Sequence, residues 1–409
     1  MQTIKAMTAF GLMLALISGA SMAAPQQTPA DAGVINKDRI LYWLIKRGEV
    51  SADASESIKQ AAVQAYIQRA MVAQPKLPRI EVEAEHARQQ TTQSSLMLRS
   101  PAQRALADAD VTKTVKVLTV LIDFPDLKFN NNGLTASDTD MYYSSYPTAH
   151  YKGLLFSTTG FEGPQGQTLT SGYQYYQAVS GKSFFFTGDV KGWYSASQNA
   201  EYYGANDPDT GSDTQVTELV KEAVSQAVAN MSETELASYD VEDPYDLNNN
   251  GNKNEPDGII DHVMIFHSSI GEEAGGGKLG DNAIWSHRYY VDQSTQGYSI
   301  PGSTKKLFGY TIQPIDAAAG VCTHEFGHDL GLPDEYDTSD TEGKDGSPVG
   351  LWSLMSGGSW AGTIPGAQPS GFSPYARSYL QEKYKGKWLN EREIALESIP
   401  NAGMEITLN

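Results

Sequence analysis

The 409 residues suffice for one large domain or two smaller ones, and with 40% hydrophobic residues they can bury a sizeable core. A net charge of −19 argues against nucleic acid and anionic membranes as partners. A solvated acidic surface, or carboxylates gathered around hard cations such as calcium, accounts for it. The single cysteine, Cys322, excludes a disulfide within the chain but not export, since calcium and proline can stabilise a secreted chain instead.

The N-terminus, "MQTIKAMTAFGLMLALISGASMA", has Lys5, an apolar run from about Ala9 to Ile17, and the small-x-small signal Ser21-Met22-Ala23. This pattern predicts a signal peptide over residues 1–23, too short to span a bilayer. No later stretch is apolar enough to cross a membrane, so the expected product is exported and soluble. Residues 24–108 read as a pro-segment and linker. "NKDRILYWLIKRG" puts Ile40, Leu41, Leu44 and Ile45 on one helical stripe closed by Gly48. "ADASESIKQAAVQAYIQRAM" predicts a second helix, and "HARQQTTQSSLMLRSPAQRALADAD" a polar linker that offers Arg99 and Arg104 to proteases. An ordinary N-terminal helical subdomain is the alternative.

Residues 109–409 read as a mixed α/β domain. "KTVKVLTVLIDFP" is a β-branched run ended by proline, hence a central strand. "SGYQYYQAVSG" predicts a helix, and "SFFFTGDVKGWY" a strand pair or a strand bent around Gly188. "TQVTELVKEAVSQAVANM" predicts a helix behind a threonine cap, "GIIDHVMIFHSS" a second central strand, and "AIWSHRYYV" an edge strand. The terminal "MEITLN" alternates like a strand and needs a partner, in this domain or in a following one.

Between these elements lies "DLNNNGNKNEPDGIID". Asp246, Asn248 and Asn250 alternate before Gly251, which is the first half of a calcium loop. Its twelfth position is Asp257 instead of the usual glutamate, and Asn252, Asn254 and Asp261 offer further oxygens. The expectation is structural calcium; the alternative is a polar, asparagine-rich turn.

The densest chemistry is in "VCTHEFGHDLGLPDEYD". His324 and His328, spaced i and i+4, share one face of a helix that is expected to start at Asp316 and can place both rings on one zinc ion. Glu325 is offset from that face, placed to act as general base toward a water that the metal acidifies. A catalytic zinc needs a third protein ligand. Glu342 lies downstream in a loop-like setting, and Glu335 and Asp337 are rivals. The favoured third ligand is Asp334, delivered by a helix break at Gly331 in a left-handed C-cap, with a bond of about 2.0–2.2 Å. The extended motif then reads HExxHxxGxxD. Cys322 is read as packed within the helix, and His86, His150, His262, His267 and His287 as structural or surface groups. Tyr336 is one candidate for oxyanion stabilisation.

Downstream, "GLWSLMSGGSW" sets Met355 in a Ser/Gly-rich turn. HExxHxxGxx followed by such a turn resembles the metzincin clan. More closely, "HEFGHDLGLPDEYD" with "WSLMSGGSW", and in the same order "GWYSASQNAEYYG", "EPDGIIDHVMIFH" and "AIWSHR", resembles the immune inhibitor A family of secreted bacterial metallopeptidases over roughly residues 111–395. The resemblance implies an α/β (α+β) metzincin-like catalytic domain. A mixed twisted sheet would carry a backing helix and an active-site helix, with an upper part to about residue 331 and a lower part holding the Met-turn. It implies a zinc endopeptidase made as a zymogen, acting on protein substrates and expected to be a monomer, with Met355 as an apolar floor beneath the ligands. Family members often continue into β-rich C-terminal modules. No cysteine lies in residues 24–108, so latency must come from steric blocking or from another ligand. The alternatives are another zinc amide hydrolase, or a non-catalytic calcium-binding module. The latter is disfavoured because structure alone does not need Glu325.

Overall fold

The computed structural model describes residues 26–98, 110–292, 297–336 and 349–389. The expected signal peptide, the Arg99 and Arg104 cleavage stretch, and the terminal "MEITLN" lie outside these residues.

Two sequence-local helices open the described chain. α1 (Lys37–Lys46) is capped by the Asn36 side chain, and α2 (Glu56–Ala70) by Ser55. They share a small core of Ile40, Leu44, Val63, Tyr66 and Ile67, so the predicted stripe is real, although Trp43 is buried where Leu41 and Ile45 are only half-buried. α3 (Arg79–Leu98) corrects the linker expectation, because the polar stretch is helical as far as Leu98. Its Ala, Gln, Glu, Arg and Met residues have good helix propensity, and no proline interrupts them before Pro101. A search for amphipathic periodicity passes over such a segment.

The central sheet is built on β1 (Lys113–Asp123). Every residue from Val117 to Asp123 is buried, the signature of an interior parallel strand covered on both faces. It pairs in parallel with β2 (Phe184–Ser195) on one side and β3 (Val263–His267) on the other. β4 (His287–Tyr290) runs antiparallel against β5 (Gly309–Pro314), and β5 is parallel to β3. The sheet order is β2-β1-β3-β5-β4, with β4 as the expected edge strand. Residues 184–195 form one strand, not a pair, and its register shifts opposite Val120 to Ile122. Gly188 lies opposite Val117, where a Cβ would come 2.3 Å from the Val117 carbonyl oxygen, so only glycine fits.

Alternation along β1 divides the core. Val115, Val117 and Leu121 face one layer, with α4 (Thr148–Phe156) and α5 (Gly172–Val179). Leu118, Val120 and Ile122 face the other, where α6 (Val216–Val228) backs the sheet. The threonine cap expected for α6 is absent. Thr214 donates its hydroxyl to the Ala205 carbonyl, leaving Gln215 at the cap without a side-chain bond. α7 (Ala319–Asp329) and α8 (Pro374–Tyr384) complete the first layer. α7 starts three residues later than expected, behind Ala318, because the half-buried Asp316 side chain is hydrogen-bonded to Thr139. Among the described residues no helix is long and apolar enough to cross a membrane.

Two contacts fix α7. On one side the chain after residue 349 presses on its backbone: a Cβ on Gly320 would lie 1.8 Å from the Ser359 carbonyl oxygen, and one on Gly327 would lie 2.5 Å from Met355 Sδ. At its C-terminal end, Asp329 Oδ2 meets His262 Nδ1 at 2.6 Å and Asp329 Oδ1 accepts from Arg288 Nε at 3.4 Å. His262 also lies 3.9 Å from Glu242, which pairs with Lys113 at 2.7 Å. Burial alone would push the His262 imidazole down, but Asp329 and Glu242 overcome it and raise it to about 10.

Gly320→Ala is expected to cost at least the roughly 1–3 kcal/mol of an overpacked core, and Gly327→Ala less, because a methionine tip yields where a carbonyl does not. Denaturant midpoints of the two variants test the order. The ordinary histidine value is 6.5, so the stabilisation from imidazolium His262 is fully present below pH 6.5 and is lost as pH rises toward 10. His262→Gln is therefore expected to lose about 3–5 kcal/mol in mildly acidic buffer, with the gap narrowing as the buffer becomes alkaline. Thermal melts across that range check it, and a gap independent of pH would rule out the imidazolium.

Candidate metal centre

Helix α7 carries opposite chemistry on opposite faces. Phe326 points into the core, 4.7 Å from Phe186 and 5.5 Å from Tyr176 between ring centroids. His324 and His328, one turn apart, face the other way, with ring centroids 4.8 Å apart. The helix stops where the sequence implied. Gly331 has φ +94°, its N–H donates to the His328 carbonyl at 2.8 Å, and the Leu332 N–H donates to the Gly327 carbonyl at 3.0 Å. These are the two bonds of a Schellman cap. The turn brings Asp334 back beneath the helix, with Oδ1 3.2 Å from His328 Nε2 and 3.6 Å from His324 Nε2.

Both rings are aimed by backbone carbonyls. His324 Nδ1 donates to Leu354 O at 2.7 Å, and His328 Nδ1 to Leu332 O at 2.8 Å. Each Nε2 is therefore the free end of its ring, and the two Nε2 atoms converge to 3.1 Å. Asp334 Oδ1 is buried and accepts no hydrogen bond. Two nitrogens and an unpartnered carboxylate oxygen facing one point repel each other unless a cation sits among them. His324, His328 and Asp334 thus fit a metal ion, and they are the three residues that the motif singled out.

A fourth group was missed. Asp31 places Oδ2 2.9 Å from His324 Nε2 and 3.0 Å from His328 Nε2. Asp31, His324, His328 and Asp334 each offer a ligand atom, all within 4.8 Å of one another. Asp31 is held firmly: Oδ1 accepts from the Gly33 N–H at 2.6 Å and from the Tyr336 hydroxyl at 2.7 Å, and its carbonyl accepts from Trp285 Nε1 at 2.7 Å. Gly33 packs so closely that a Cβ would fall 2.5 Å from the His324 ring, and Ser359 donates to its carbonyl at 2.8 Å. Burial would raise the Asp31 carboxyl, but His324 and His328 hold it well below the usual range. Nothing in its local sequence marks Asp31 among the other acidic residues of the N-terminal segment.

Glu325 is fully buried and neither carboxylate oxygen has a hydrogen-bond partner among the described residues. Burial, then the neighbouring Asp31 charge, pushes its carboxyl well above the usual range. Met355 is buried against Gly327 of α7. Its carbonyl accepts from the Glu335 N–H at 2.8 Å, while the Glu335 carboxylate turns away to Ser373. That removes Glu335 as a rival ligand; Asp337 and Glu342 lie outside the described residues. Tyr336, an oxyanion candidate, is engaged by Asp31 and by the Ala32 N–H. Cys322 is buried within α7. His267 and His287 are buried and His150 half-buried; desolvation drives them down to about 3, 4 and 4, so they stay neutral, and His86 is exposed on α3.

The Asp246 loop, the second predicted site, is wound by its own hydrogen bonds. Asp246 accepts from the N–H groups of Asn250 and Gly251 at 2.9 and 3.0 Å, winding the loop. The amides of Asn248, Asn250 and Asn252 all donate to Glu255, a residue the reading of the motif did not use. Asp257 and Asp261 are directed elsewhere. Asp257 Oδ1 accepts from the Ile259 N–H, and Asp261 accepts from the N–H groups of Val241 and Glu242.

Comparison with known proteins matches this architecture to one family. Residues 103–389 match the model of the immune inhibitor A peptidase M6 catalytic domain. The chain is 44% identical to the pre-pro-metalloprotease PrtV of Vibrio cholerae, over 97% of this chain and 44% of that protein. It is 42% identical to immune inhibitor A of Bacillus thuringiensis subsp. alesti, over 73% of this chain and 44% of that protein. The chain therefore spans under half the length of these relatives. The mixed five-stranded sheet is consistent with that family, and the family match and these identities show that the chain belongs to the immune inhibitor A (M6) peptidases.

Proposed function

We propose that this chain is a secreted, zinc-dependent endopeptidase of protein substrates, made as a zymogen whose metal site is closed by Asp31. The observation that carries the reading is the convergence of His324, His328 and Asp334 beside an unpartnered Glu325. Nitrogen and oxygen donors in this number suit zinc, with three protein ligands and one further position. When bound, zinc would acidify a water and polarise a scissile carbonyl.

The rest of the chemistry falls to the chain itself. Glu325 has both oxygens free to accept a proton from a water and pass it to a leaving amine. Leu354 O and Leu332 O keep the two imidazoles in the ligating tautomer. The buried setting excludes bulk water from this exchange. Asp31 takes the position that a water or substrate oxygen needs, and its charge opposes ionisation of Glu325. Residues 1–23 supply the export signal in this reading, and the word pre-pro in the name of the Vibrio cholerae relative fits the layout of signal, pro-segment and peptidase domain. Structural calcium on the Asp246 loop belongs to the same proposal, with Asn248, Asn250 and Asn252 and with Glu255 added to the donors.

The decisive assay is casein cleavage by the chain after limited trypsin. Glu325→Ala is expected to lose about 10²–10⁴ of the rate while keeping its zinc, and a chelator should abolish activity in the wild type. A trypsin-treated, zinc-loaded wild type that leaves casein intact would contradict the reading. Without trypsin, Asp31→Ala is expected to cleave casein where the wild type is silent. Equal silence in both would assign latency to steric cover. Calcium should raise the melting temperature of the wild type more than that of Asp246→Ala; an equal rise would remove the loop from the account.

A further inference from the structure

Apart from these sites, the sheet edge holds a second knot of buried charge. Asp213 and Glu272 are 3% and 2% exposed, and they come from separate loops, one before α6 and one after β3. Asn206 joins them: its backbone bridges to Asp213, and its Nδ2 donates to Glu272 Oε1 at 3.2 Å. Asp213 Oδ2 accepts the Trp285 N–H at 3.1 Å, but Asp213 Oδ1 and Asn206 Oδ1 are buried atoms with no hydrogen-bond partner among the described residues. Among the described residues no lysine, arginine or histidine pairs with Asp213 or Glu272. The largest charge effects on Glu272 come from Asp213, Asp281 and Glu273, all of the same sign.

Two buried carboxylates beside two orphaned oxygens are costly without a counter-charge. Burial first, then Asp213, pushes the Glu272 carboxyl well above its usual range, and burial does the same to Asp213. The donors are all hard oxygens, and no soft or nitrogen ligand is among them, which selects calcium over zinc. We infer that Asp213, Glu272 and Asn206 form a calcium site, distinct from the Asp246 loop. The site would tie these two loops together beside the metal centre.

Its position gives it a task. The Asp213 carbonyl accepts from Thr28 at 3.0 Å, the Glu272 carbonyl accepts from the Tyr66 hydroxyl at 3.2 Å, and the Glu273 carbonyl accepts from Asn36 at 2.9 Å. Glu273 also binds the N–H and hydroxyl of Ser286, the residue before the edge strand β4. Calcium here fastens the two loops on which the N-terminal segment sits, next to the Trp285 that holds Asp31.

The test uses the full chain, stripped with a chelator and titrated with calcium, counting ions per chain. Asp213→Asn and Glu272→Gln are each expected to bind one calcium ion fewer than the wild type, while Asp246→Asn keeps the ion assigned here. Each variant is first shown to melt cooperatively. Terbium in place of calcium gives a readout that leaves every ligand in place: emission excited through tryptophan should fall sharply in Trp285→Phe. Unchanged stoichiometry in Asp213→Asn, or calcium-independent melting with both carboxylate variants stabilised, would overturn the site in favour of a proton shared by the two carboxyl groups.

Discussion

The glycine turn that ends α7 is the constraint on which the site depends. Gly331 in the left-handed region lets the chain reverse within three residues. That reversal does two jobs. It lowers Asp334 to the imidazoles, and it supplies the Leu332 carbonyl that orients His328. His324 depends in the same way on the chain around Met355, through Leu354 O. A continued helix would carry away the third ligand and one of the two orienting carbonyls together. The helix is in turn held from behind by Phe326 in the aromatic core and by the Asp329–His262–Arg288 network. The ligand set is thus placed by backbone geometry and by apolar packing, and its charges are left over for a cation.

The N-terminal helices serve a different end. They have a core of their own and meet the peptidase domain through both polar contacts and packing: Arg39 and Tyr42 reach Asp140 and Asp138, Arg47 the Gly275 and Gly277 carbonyls, and Arg69 Asp281, while Val34 and Ala70 are buried in the core of the first layer. Asp31 lies between Ala30 and Val34, which pack in the core shared with the peptidase domain.

Periodicity and punctuation were enough to read α1, α2, β1, β3 and the edge strand, since each has local causes: a capped amphipathic run or a β-branched stretch closed by a turn former. The metal motif was legible for the same reason, as spacing on a helix face plus a glycine. What the sequence hid was non-local. Asp316 looked like a cap, but a tertiary hydrogen bond to Thr139 claimed it. α3 has propensity without pattern, so it read as linker. Asp31 lies 293 residues from His324, and nothing local marks it. Asp257 and Asp261 followed the spacing of a calcium loop but were drawn to backbone donors around residues 241 and 259, while Glu255 took the loop's centre.

The most direct measurement is a crystal structure of the full chain grown with zinc, with anomalous scattering collected at the zinc edge. The account predicts one peak bonded by His324, His328 and Asp334, with an oxygen of Asp31 as the fourth ligand. A water in the place of Asp31, or a zinc peak that omits Asp334, would contradict it.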